Sequence, residues 1–161
     1  DNNFFILINN QQSELIETIS SRCLKTNIFL KTNQRAEIIN YLIEDRVIKN
    51  LFDHKNRLSP GLFLKFNEIH LNYKINENDN IFNKINTLIN GYKKVKDRSL
   101  ISLVYFLIDH SFVHKIKTNE NNIEFLLDTK SSIIKIINDF VQFNLNINSV
   151  LNSIRMKLND V

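Results

Sequence analysis

The chain has 161 residues, a formal net charge of +4 and an apolar fraction ordinary for a folded protein, which argues against a disordered or strongly charged polymer. No apolar run approaches the roughly 20 residues of a membrane-spanning helix, and no signal-peptide pattern opens the sequence. The lone Cys23 cannot form an internal disulfide, which fits a reducing cytoplasm.

Only two glycines, one proline and one alanine occur, against heavy use of Asn, Ile, Lys and Phe, as in chains from AT-rich coding sequences. The basic excess permits contact with phosphate without pointing to it, since the lysines are scattered. Asp1 in place of Met leads to the expectation of a processed product or a cut from a longer protein.

Phe4 to Ile8 is a continuous apolar run of strand length, as for a strand buried on both faces of a sheet. A polar break at Asn9 to Gln12 precedes a short helix, with Ser13 as N-cap, Glu14 and Glu17 near its positive end, and Leu15, Ile16 and Ile19 inward. Leu24 to Leu30 reads as a second strand. Two strands do not make a stable sheet alone, so residues 1–30 read as the trailing edge of a larger α/β domain.

From Asn33, placed as a cap, the period becomes helical, with Ile38, Ile39, Leu42 and Ile43 in one stripe and Val47, Ile48, Leu51 and Phe52 in a second. Ser59-Pro60 is the clearest helix start, a capping hydroxyl followed by proline at N1. That helix carries Leu62, Phe63, Phe66, Ile69 and Tyr73, and the polar run Asn76 to Asn80 is the best linker boundary.

Longer helices follow. The first bears Ile81, Ile85, Leu88 and Ile89, with Gly91 as its expected C-terminal cap. Asp97 caps the next, which is apolar on more than one side (Leu100, Leu103, Val104, Leu107, Ile108), as suits the centre of a bundle. Ile123 to Phe143 repeats the pattern as one long helix, and Asn146 or Asn148 caps a last one bearing Val150, Leu151, Ile154 and Leu158.

Two motifs then point the same way: Ser21-Arg22-Cys23 behind Thr18-Ile19, and Leu58-Ser59-Pro60-Gly61-Leu62 opening a helix about forty residues later. Together they resemble the delta-prime family of bacterial DNA polymerase III clamp-loader subunits, which belong to the AAA+ clamp loaders. That family carries an SRC motif at the end of its ATPase core and an SPG helix start in its lid. Asn144-Leu145-Asn146 before the final helix is similar to the end of a clamp-loader collar.

The resemblance implies a mainly α chain: residues 1–31 as the α/β end of an AAA+ core, 32–77 as a helical lid and 78–161 as a helical collar. It also implies a stator role. No phosphate loop, magnesium-binding acidic strand end or zinc-type cysteine cluster is present, and in the family all of these lie upstream. Gly61 falls where hydrolysing subunits carry a sensor-2 arginine. No cofactor is therefore expected in this segment, and no catalysis from the chain alone. Its expected partners are gamma/tau-like and delta-like subunits, with the sliding clamp and primed DNA reached through the complex. The competing readings are a helical interaction module without a replication role and a basic helical nucleic-acid binder.

On this resemblance Arg22 is an arginine finger, offered in trans to ATP on a neighbouring subunit, its planar fork of donors matching phosphate oxygens. The plain alternative is a surface arginine paired with Glu14 or Glu17. Cys23 is expected to be a small buried apolar residue, and Asn9 and Asn10, where sensor 1 would lie, to be turn formers. His110 and His114 share a helix face, but HSFVH lacks the glutamate of H-E-x-x-H and a third ligand. Lys93-Lys94-Val95-Lys96-Asp97-Arg98 is a basic loop without interleaved aromatics, so a solvated turn is the expectation.

Overall fold

In the computed structural model the chain is mainly helical, and the residues described are 5–8, 15–46, 58–76, 78–118 and 122–159. It divides into two units, residues 1–31 and 32–161. In the first, a single short helix, α1 (Glu17–Ser20), is the only regular element among the described residues.

Neither expected strand forms among the described residues. Residues 5–8 and 24–30 have no strand assignment, and their apolar side chains, half-buried Leu30 apart, are open to solvent, Phe5 being 90% and Leu24 97% exposed. A strand needs a neighbour to take its backbone N–H and C=O groups, and no strand pairing is assigned to either run among the described residues. Phe4, Asn9, Asn10, Ser13 and Glu14 lie outside them.

The second unit opens with α2 (Thr32–Arg46), so Asn33 sits in the first turn instead of capping it. Ile39 is fully buried, with Ile43 packed beside the core and Ile38 partly exposed. The expected stripe from Val47 to Phe52 lies outside the described residues. Helix α3 (Pro60–Asn72) starts where the sequence places it: the Ser59 hydroxyl accepts a hydrogen bond from the Leu62 N–H at 3.3 Å, with proline at N1. It buries Phe63, Phe66 and Ile69, with Asn67 and His70. The Asn67 amide donates to the Phe63 carbonyl at 2.8 Å, while its Oδ1 is buried without a partner among the described residues.

Four helices make the rest: α4 (Ile81–Val95), α5 (Arg98–Thr118), α6 (Ile123–Phe143) and α7 (Ile147–Asn159). Asparagine caps two of them, with the Asn80 side chain accepting from the Asn83 N–H at 2.8 Å and Asn146 from the Asn148 N–H at 2.9 Å. Asp97 caps α5 in the same way, its carboxylate accepting from the Ser99 N–H at 2.9 Å. The Ser99 hydroxyl and N–H, with Lys65 farther off, hold that carboxyl below the ordinary carboxylate range.

The four pack as a closed ring, α4 on α5, α5 on α6, α6 on α7 and α7 back on α4. Contacts across it fix the sense. Tyr105 bonds Asn138 and Asp109 bonds Lys130, so numbers rise along α5 as they fall along α6. Arg155 lies over the Phe82 ring, which sets α7 antiparallel to α4. Short connections of two residues (96–97) and three (144–146) leave no other course. Helix α5 is the hub: it touches α4, α6 and also α3, which in turn carries α2. That explains why it is apolar on more than one side.

Gly91 does not cap α4. The helix continues to Val95, and its cap is Lys96, in the left-handed region at φ 57°. Gly91 is buried inside the helix, against the ring of Tyr73 at the end of α3. A Cβ there would lie 3.1 Å from Tyr73 Cζ and closer still to Cε1. The glycine is there for close approach, not for its backbone freedom.

A prediction follows on the sign of Gly91→Ala. Alanine should gain about 1 kcal/mol of helix propensity but lose about 1–3 kcal/mol by overpacking, for a net loss. In a Tyr73→Ala background the same change should stabilise by about 1 kcal/mol. Denaturant titration of the four variants reads the reversal, and simple additivity would refute the packing account.

Candidate functional site

The SRC tripeptide is built on a local turn. In α1 the Ser20 N–H donates to the Ile16 carbonyl at 3.0 Å, and the Ser21 N–H to Glu17 at 2.9 Å. The Arg22 N–H then donates to the Ile19 carbonyl at 3.1 Å, a tighter closing turn. The Ser21 hydroxyl donates to the Thr18 carbonyl at 3.3 Å, pinning the turn from outside. These bonds hold Arg22 in the turn, and its side chain is exposed.

Among the described residues Arg22 makes no ion pair, with Glu17 or any other carboxylate, while Glu14 lies outside them. Cys23 is exposed, against the expectation of a buried apolar side chain. The strand it was to enter does not form among the described residues, and its thiol stays exposed. The second motif stands in the other unit: Ser59 and Pro60 start α3. Gly61 follows in the first turn, exposed and with open space where a side chain would begin.

The histidines of α5 part company. His110 is half-buried, its ring 6.3 Å from that of Phe106, and His114 is exposed. Among the described residues no group of three or more His, Cys, Asp or Glu side chains is placed to hold a metal. No helix of the described residues is long and apolar enough to cross a membrane.

Two features that no motif announces lie along the ring. One is the polar seam between α5 and α6, where the Tyr105 hydroxyl and Asn138 Oδ1 are 2.6 Å apart and Asp109 pairs with Lys130. Burial and then the neighbouring Tyr92 push the Tyr105 hydroxyl above the ordinary tyrosine range. The pairs set the register of the two helices, a structural role. The other is at one end of the ring, where Lys96 Nζ donates to Asn144 Oδ1 at 3.1 Å and joins the α4–α5 connection to the α6–α7 connection. Only the first half of that end is visible as a pattern in the sequence, the basic run Lys93 to Arg98, which is not one loop: Lys93 to Val95 end α4, Arg98 begins α5 and only residues 96–97 connect them. No protein-family model, curated protein or solved structure matches the chain.

Proposed function

We propose that this chain is part of a delta-prime-like subunit of the bacterial DNA polymerase III clamp loader, which helps load the sliding clamp onto primed DNA. The observation that carries the reading is the turn at residues 21–23. It presents an exposed, permanently charged guanidinium without a carboxylate partner among the described residues, in a Thr-Ile-x-Ser-Arg-Cys setting. The SPG helix start and the helical mass behind it support the same reading.

On this proposal residues 1–31 belong to an AAA+ core, 32–77 to the lid and 78–161 to the collar that holds the subunit among gamma/tau-like and delta-like neighbours. Arg22 serves ATP bound by one of those neighbours. The chain itself holds no nucleotide cofactor and turns over nothing; the enzyme is the polymerase holoenzyme, a nucleotidyltransferase of the cytoplasm.

The test is assembly. Mixed with bacterial gamma/tau-like and delta-like subunits, the chain is expected to co-elute with them on size exclusion, and residues 78–161 are expected to be required. A chain that elutes alone at every ratio would overturn the proposal, as would ATPase activity of the isolated chain above background.

A further inference from the structure

The geometry points to a single-stranded nucleic-acid site on the end of the four-helix ring, formed by the α4–α5 and α6–α7 connections. It stands on that end's own chemistry and does not depend on the clamp-loader reading.

Lys96 and Asn144 cap their helices in left-handed conformations, φ 57° and 51°, a geometry asparagine tolerates better than lysine. Their side chains bond to each other, and the Lys96 ammonium also lies 5.2 Å from the centre of the Tyr92 ring. One turn inward, the Tyr92 and Phe140 rings meet edge to face at 5.9 Å. These contacts fix the two connections side by side although they are 48 residues apart.

The flanking residues are left facing water. Val95 beside Lys96 is 60% exposed, while Phe143 and Leu145 on either side of Asn144 are 63% and 40% exposed. Lys93, Lys94 and Arg98 are exposed around them, with no ion pair among the described residues. Against these cations stand Asp97, whose carboxylate is engaged by Ser99 at the start of α5, and half-buried Asp139 one turn before Phe143. The end is therefore an apolar centre with a cationic rim.

Charge and shape of the chemistry choose the occupant. A second copy meeting end to end would bring like charges together, which costs where it is not offset. Duplex DNA offers phosphates but hides its base faces, and would leave the apolar centre unused. A single strand offers both parts: anions for the three lysine and arginine heads and flat apolar base faces for Phe143 and its neighbours. The aromatic missing from the basic run in sequence is supplied by Phe143, at the end of α6.

The test uses the whole chain, fluorescent oligothymidylate, a DNA hairpin duplex, and vesicles of phosphatidylserine and phosphatidylcholine. Expected is binding of the single strand in preference to the duplex. Phe143→Ala should weaken single-strand binding about 5- to 150-fold, the value of one stacked base at about 1–3 kcal/mol, with Phe143→Tyr restoring it. The double variant Lys93→Ala with Lys94→Ala should flatten the log–log salt slope by about 1.4. Circular dichroism checks that each variant remains folded, as exposed positions should. No single-strand binding at low salt, equal duplex binding indifferent to Phe143, or vesicle binding without oligonucleotide binding would each overturn the inference. None of these readouts uses loader assembly, so failure of the clamp-loader proposal would be seen separately.

Discussion

Replacing Arg22 by alanine in a reconstituted loader is expected to slow ATP hydrolysis at the neighbouring site and depress clamp loading, with folding intact. In related phosphoryl-transfer sites a trans arginine is worth about 10³–10⁵ in rate, because it meets charge that develops only on the transferring group. The turn that carries Arg22 rests on backbone bonds and the Ser21 hydroxyl, not on the guanidinium. Its removal should therefore leave the circular dichroism spectrum and the co-elution with partners unchanged. Single-turnover hydrolysis is the measurement to make, since other sites of a loader can mask the loss of one in steady state. Arg22→Lys sharpens the test: an ammonium keeps the charge but not the planar fork, so it should restore only part of the rate. Wild-type loading by Arg22→Ala would remove the finger assignment and, with it, the main support for the family reading.

Local signals in the sequence were reliable where the physics is local. Ser59-Pro60, Asp97 and Asn146 each cap a helix through a bond to an N–H two or three residues on; the first two are legible in the sequence, and the third is one of two candidates there, with Asn148. The length of α6 was too, because its apolar period runs unbroken from Ile123 to Phe143. The misreadings arise where the deciding partner is distant or absent. Gly91 looked like a cap because it lies near a helix end, but what it meets is a tyrosine on another helix. The runs at 5–8 and 24–30 have strand composition without strand neighbours among the described residues, and periodicity does not supply one. Likewise, half of the charged end of the ring could be read as a basic loop, while Phe143 joins it only through a long-range side-chain bond.

Phe66→Ala is expected to free α3 from the ring before the ring itself is affected. Phe66 is only 2% exposed, and its ring lies 5.5 Å from that of Phe106, the packing that ties α3 to α5. Truncating such a side chain costs about 3–5 kcal/mol, a large share of the about 5–15 kcal/mol that holds a domain together. Where that loss is felt follows from the connections. Helices α4 to α7 close on one another, whereas α2 reaches the ring through α3, and α3 through α5 and the Tyr73–Gly91 approach. An opening of α2 and α3 leaves the four-helix ring closed, so it is the lower-energy route. Hydrogen exchange should therefore speed up by about two to four orders of magnitude in the amides of α3, as about 3–5 kcal/mol implies at 1.4 kcal/mol per tenfold. Amides in α6 and α7 should stay slower than those in α3, because their exchange needs the ring to open as well. Phe106→Ala should produce the same pattern, and the double variant should cost less than the sum, because each change already removes the shared ring contact. Equal opening free energies in α3, α6 and α7 would mean that α3 and the ring open as one cooperative unit, and would refute the peripheral docking of α3.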